Sequence, residues 1–199
     1  MQPPSRRAVR RSSWLVWPLA AAAALGMVGQ ASYSAFSAKV SNTGNTLAAG
    51  SVVLSDDDSG SALFSLTNLK PGASGSRCIA VTSTGTLPSA VKLYATDVST
   101  SKGLATYLSW TVTQGTGGTY SSCSGFSALS SGSSVYSGTL AGFTGSATGY
   151  GSGVGSWAPT GNASDTRTFQ LSYTLSSSTP DSAQGGTASF GLTWEAQNS

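Results

Sequence analysis

The fold is decided by a stretch that reads, in order, Tyr33-Ser-Ala-Phe-Ser37, Asn45-Thr-Leu-Ala-Ala-Gly-Ser-Val-Val-Leu54, Leu66-Thr-Asn-Leu-Lys-Pro-Gly72 and Thr82-Ser-Thr-Gly-Thr-Leu87. The apolar run that ends at Leu54 predicts a strand, and the large apolar residues of 63–69 predict a second one. Pro71 fixes φ and Gly72 can take a positive φ, so this pair predicts a turn. A third strand is predicted from Cys78 onward. The stretch therefore predicts the start of a β-domain.

Alternation of apolar and polar residues recurs later in the chain, at 91–95, 108–112, 169–175 and 190–196. A period of two is typical of strands with one buried face, whereas the 3.6-residue period of amphipathic helices is absent. Trp110 and Trp194 share a face with apolar neighbours, which predicts that both lie in the core. We therefore expect an all-β fold: a single β-sandwich of about eight strands, jelly-roll or immunoglobulin-like in character.

Residues 1–35 have the layout of a secretory signal peptide, with a basic head, an apolar middle at 14–29 and a small-residue end. The apolar run is shorter than the ~20 residues of a spanning helix, although an uncleaved anchor stays open. Cleavage fits after Ala31 or between Ala35 and Phe36, and export by the general or the twin-arginine route is open. We expect residues 36–199 to form the exported β-sandwich domain, with membrane contact only before cleavage.

Cleavage after Ala35 would remove four of the ten basic residues and leave six against seven acidic ones. No basic cluster remains, so we expect no nucleic-acid partner. Cys78 and Cys123 are the only two cysteines, and an even pair in an exported chain predicts a disulfide.

The candidate sites for chemistry are few, because the chain has no histidine and Glu195 is its only glutamate. A Ser-His-Asp triad and a histidine-based zinc site are excluded, so we expect no enzymatic activity and no cofactor. Asp56, Asp57 and Asp58 form a weak calcium candidate, but they lack the alternating spacing of an EF-hand loop, which favours a solvated turn between the first two strands. Residues 141–165 predict a surface loop or two weak strands, with Trp157 as a candidate contact residue.

The four motifs quoted at the start also carry a resemblance. Their order is similar to that of the TasA/camelysin family of secreted bacterial surface proteins, and the similarity covers residues 36–94. The resemblance implies a cell-surface or biofilm-matrix protein that forms fibres, and it favours cleavage just before Phe36 by a dedicated signal peptidase. It also implies the metallopeptidase activity described for camelysin-type relatives, although the residues for that activity are missing.

The expected function is therefore structural: a secreted cell-surface or extracellular-matrix protein that assembles by β-strand exchange. Removal of the signal would free an arm of residues 36–46, which carries a single charge and could complete the sheet of a neighbouring copy. Other copies of the chain and the signal peptidase are the expected partners. One alternative is a monomeric binding module for carbohydrate or a host protein, which would use the Gly-rich loop around Trp157. The least favoured alternative is a camelysin-type metallopeptidase.

Overall fold

The computed structural model describes residues 37–39, 51–60, 63–64 and 69–199. The chain divides into two units, Met1–Ala35 and Phe36–Ser199, and every described residue belongs to the second. The expected signal peptide, the bond between Ala35 and Phe36, and most of the arm lie outside the described residues. Within the described part of the chain, no helix is long and apolar enough to cross a membrane.

Two antiparallel sheets pack into a sandwich, which confirms the all-β prediction. The first sheet has the strand order β1-β10-β4-β8, and the second has the order β2-β3-β9-β5-β6 with β7 also paired to β5. The strands are β1 (Ser37–Lys39), β2 (Leu54–Asp56), β3 (Ser74–Ser83), β4 (Ser89–Thr100), β5 (Leu108–Thr116), β6 (Ser127–Ala128), β7 (Ser134–Thr139), β8 (Val154–Trp157), β9 (Asp165–Leu175) and β10 (Ala188–Asn198). The described residues thus contain ten strands, two more than expected, and three of them are only two or three residues long.

The core lies between the two sheets and is built from the alternating windows. These windows fall in β4, β5, β9 and β10 as predicted. Leu93, Val112 and Leu171 are fully buried on the inner faces, and Trp110 and Trp194 are buried with them, as expected. Each such side chain stabilises the fold by about 1.5–3 kcal/mol through the apolar surface it removes from water.

The segment between β2 and β3 differs from the prediction. Leu63 and Phe64 lie in no strand, and residues 65–68 of the second predicted strand lie outside the described residues. Strand β2 instead pairs directly with β3, whose first residue is Ser74. The predicted turn at Pro71 and Gly72 is present, and Gly72 has a φ of 85°.

Residues 141–165 do not form a surface loop, and of the alternative, two weak strands, the structure contains the short strand β8 beside a helix that was not predicted. The chain already forms one helical turn, α1 (Leu104–Tyr107), before β5, and it forms a second helix, α2 (Leu140–Ser146), after β7. The hydroxyl of Thr139 caps α2 by accepting a hydrogen bond from the Gly142 amide at 3.0 Å. Helix α2 buries Phe143 completely against the core. A 3₁₀ turn (Tyr150–Ser152) and β8 follow it.

Candidate functional site

Strand β1 is the part of the N-terminal arm that the structure describes, and it lies at the edge of its own sheet. It pairs antiparallel with the C-terminal end of β10, so that Lys39 lies opposite Glu195 and Ser37 lies opposite Gln197. Further along β10, residues 188–194 pair with β4 on one side and with no described strand on the other. An unpaired strand edge is a template on which a further extended chain can form backbone hydrogen bonds.

A buried carboxylate lies where the arm meets β10. Glu195 accepts a hydrogen bond from the Tyr94 hydroxyl at 2.7 Å and another from the side-chain amide of Gln197 at 3.1 Å. Burial, together with the hydrogen bond to Glu195 and the charge of that carboxylate, raises the pKa of Tyr94 to about 12. Burial and the same charge also raise the pKa of Tyr150. The charge of the Glu195 carboxylate therefore raises the pKa of both tyrosines near this edge.

Two lysines flank Glu195 in the sheet. Lys92 lies opposite it on β4, and Lys39 lies opposite it on β1. The Lys92 ammonium donates a hydrogen bond to the Gly155 carbonyl at 2.6 Å. Lys39 is the only charged residue between Phe36 and Asp56. In this register the backbone of Lys39 lies opposite that of Glu195, and opposite charges at such positions are stabilising.

The acidic cluster after β2 acts as a structural link. Asp57 accepts hydrogen bonds from the backbone amides of Ala80 and Tyr120, at 2.9 and 2.6 Å, with its two carboxylate oxygens. Burial raises the pKa of Asp56, and a hydrogen bond and the charge of Asp58 raise it further. The aspartates therefore have different partners. Residues 57–60 form a bend and a turn after β2, and the next strand that the structure describes is β3.

The predicted disulfide between Cys78 and Cys123 is present, with a Cα–Cα distance of 5.1 Å. It joins β3 to the connection between β5 and β6. The Ser121 amide donates to the Cys78 carbonyl at 2.8 Å in the same region. The hydrogen bond from the Tyr120 amide to Asp57 lies in the same stretch of chain as Ser121 and Cys123. The connection between β5 and β6 is therefore held to β3 and to the residue that follows β2.

Trp157 does not lie in a surface loop, and the expectation that it contacts a ligand is wrong. It is the last residue of β8, and only 4% of its surface is exposed. Its ring centroid lies 6.2 Å from that of Phe169, and its indole nitrogen donates to Asp165 at 2.9 Å. The Arg167 guanidinium lies 5.9 Å from the ring centroid. These contacts occupy the surfaces with which the indole would stack on an external ligand.

The residues that could bind a catalytic metal can be counted completely. The chain has seven Asp and Glu residues, two cysteines and no histidine, and all nine acidic and cysteine residues lie in the described ranges. Both cysteines are in the disulfide. Among the described residues, no group of three or more such side chains could hold a metal ion. Catalytic zinc needs three protein ligands, so the residues present do not fit a zinc peptidase.

We therefore expect a zinc chelator to leave the free energy of unfolding unchanged and the purified protein to cleave no unstructured peptide. Denaturant titration with and without chelator measures the first, and mass spectrometry of the incubated peptide measures the second. Added Ca²⁺ should likewise leave the melting temperature unchanged, because Asp57 is already bonded to two backbone amides. Chelator-sensitive cleavage by the pure protein would contradict this expectation.

Comparison with known proteins gives one family. A family model described as camelysin metallo-endopeptidase matches residues 17–103, which is less than half of the chain. No curated protein matches the sequence. The match begins within the expected signal peptide, includes all four quoted motifs and ends just before α1. The resemblance is thereby confirmed: residues 17–103 are similar to the camelysin metallo-endopeptidase family, which includes TasA.

Proposed function

We propose that this chain is an exported structural protein of the cell surface or extracellular matrix, and that its N-terminal arm links one copy to the next. The family match supports a surface protein in general terms. The disulfide supports export, because such bonds persist in oxidising compartments. The observation that carries the assembly proposal is the pairing of β1 with the edge of β10.

Strand exchange is supported by the short pairing of the described part of the arm. Only three residue pairs join β1 to β10. An arm that pairs with its own sheet can form the same pairs with another copy, so exchange costs little beyond releasing this short strand. High protein concentration would then favour the linked form. The edge at 188–194, which pairs with no described strand, would let an incoming arm extend its pairing further than β1 does.

The register of an exchanged arm would be fixed by charge and by strand alternation. A slip of one residue turns every side chain of a strand to the other face of the sheet. It would also remove Lys39 from its place opposite Glu195. The buried carboxylate thus supplies a reason for the arm to select one register in the neighbouring copy.

Two shortened variants test this proposal, one beginning at Phe36 and the other at Gly50. We expect the first to form assemblies that grow with concentration, because it keeps the arm, and the second to stay monomeric. Small-angle scattering gives the mass, and electron microscopy shows whether fibres form. If both variants assemble equally, or both stay monomeric at high concentration, the arm is not the donor.

A pair of substitutions in the arm supplies the matched control. Lys39→Glu should weaken assembly of the variant that begins at Phe36, because it places two carboxylates opposite each other on paired strands. Lys39→Arg keeps the charge and should assemble normally. N-terminal sequencing of protein recovered from the growth medium tests the export part of the proposal, and we expect Phe36 as its first residue.

A further inference from the structure

A cavity of 1020 Å³ lies between the two sheets. Its lining includes residues 188–192 of β10, so it lies beside the half of that strand whose outer edge pairs with no described strand. The walls are mainly apolar and aromatic, with the side chains of Phe64, Trp110, Tyr173, Phe190, Leu192 and Trp194. Small-molecule sites in proteins occupy roughly 300–1,000 Å³, so this cavity is large enough for an elongated ligand.

The arm is poorly suited to fill this cavity. Ala38 lies opposite the buried Ala196, so an arm that continued along β10 in the same register would direct residues 40, 42 and 44 inward. These positions are valine, asparagine and glycine. Such side chains are too small and too polar to fill a space walled by aromatic rings. The cavity therefore calls for an occupant other than the arm, whether or not copies of the chain exchange strands.

The rim of the cavity is negatively charged. Asp56, Asp58 and Asp181 belong to the lining, and no described lysine or arginine does. The Lys102 ammonium donates a hydrogen bond to the carbonyl of Gln184, a lining residue, at 2.7 Å. The lining thus carries three carboxylates, and the ammonium beside it is bonded to the backbone. A cleft with low-dielectric walls concentrates such a field, so a positively charged group is favoured at this mouth.

Aromatic rings form much of the walls. Trp110 and Trp194 are buried, with 3% and 5% of their surfaces exposed. Trp110 also lies between Phe64 and Phe190, with ring centroids 5.6 and 5.4 Å away. Aromatic faces attract cations, so these walls suit both an alkyl chain and an ammonium group.

We propose that this cavity binds an amphipathic cation. Its apolar chain would fill the space between the sheets, and its ammonium group would lie at the rim beside Asp56, Asp58 and Asp181. The acidic rim would reject a fatty acid or another anionic amphiphile of the same length. The cavity would therefore select its ligand by charge as well as by apolar surface.

The test uses three probes with the same alkyl chain and different head groups: decyltrimethylammonium, decanol and decanoate. Each is titrated below its micelle concentration into the full-length chain, with calorimetry for affinity and tryptophan fluorescence for the site. We expect the ammonium probe to bind about tenfold or more tightly than decanoate, a difference of about 1.4 kcal/mol or more. Equal affinities for the three probes would overturn the proposal.

Variants separate the cavity from binding elsewhere on the chain. Asp58→Asn with Asp181→Asn should remove most of the preference for the ammonium probe, while Asp97→Asn, which lies outside the lining, should not change it. Ala188→Trp should fill part of the cavity and lower the affinity of every probe. Unchanged preference in the double variant would show that the rim does not select the charge. Because a large side chain can disturb β10, the charge variants give an independent test.

Discussion

Replacing Trp157 by alanine should lower the free energy of unfolding by about 3–5 kcal/mol, which is the usual cost of removing a large buried aromatic side chain. Trp157 is almost completely buried, packs against Phe169 and donates a hydrogen bond to Asp165. The substitution would leave a cavity under β8 and deprive the Asp165 carboxylate of its donor. Denaturant titration of the two proteins measures the difference.

The matched control is Trp157→Phe, which keeps most of the apolar surface and removes the bond to Asp165. We expect it to cost about 1.5–3 kcal/mol for the hydrogen bond to a carboxylate, plus a smaller packing loss. If Trp157→Ala were nearly neutral in stability and instead abolished binding to a carbohydrate, Trp157 would be a contact residue and not a core residue. The two substitutions thus distinguish a core residue from a binding residue.

The sequence predicted the long strands well because their burial is regular. In β5, β9 and β10, apolar side chains occur at every second position. This pattern depends only on neighbours along the chain. The disulfide was equally predictable from the sequence, since two cysteines permit one intramolecular bridge.

Helix α2 was missed, and strand β8 was predicted only as one of two possibilities, because their signals are short. In α2 the buried residues are Leu140, Phe143 and Thr144, and small residues occupy the other four positions. Strand β8 has four residues, only two of them pair in register with β4, and a register shift separates these two pairs. Trp157 becomes a core residue through contacts with β9, which follows it after a turn. Local composition cannot indicate such packing.

The pairing of β1 with the edge of β10 could not be predicted from the sequence, for a different reason. Residues 37–39 and 195–197 are separated by almost the whole chain. Alternation predicts that each segment is extended, but it does not state which segments pair. The place of Glu195 opposite Lys39 follows only from the sheet order, and so does the cavity beside residues 188–192 of β10.

Removing the disulfide with Cys78→Ala and Cys123→Ala should lower the free energy of unfolding by about 4 kcal/mol in the chain-entropy model, given the 45-residue separation of the cysteines. Asp57 should share this effect, because it binds the Tyr120 amide close to Cys123. Asp57→Ala alone should cost about 1–3 kcal/mol, since two backbone amides lose an acceptor. With the cysteines replaced, the connection from β5 to β6 is already loosened, so Asp57→Ala should cost less.

A double-mutant cycle measures this coupling, and we expect an interaction energy of about 0.5–3 kcal/mol, in the range of residues that share a network. Asp97→Ala is the control, because Asp97 lies on β4 in the other sheet and should add independently. Reduction of the original disulfide should reproduce the loss seen with the two alanines. If the losses of unfolding free energy from Asp57→Ala and from removing the disulfide add strictly, the Asp57 carboxylate does not help to hold the connection from β5 to β6. The connection would then depend on the disulfide and the Ser121 amide for its attachment to β3.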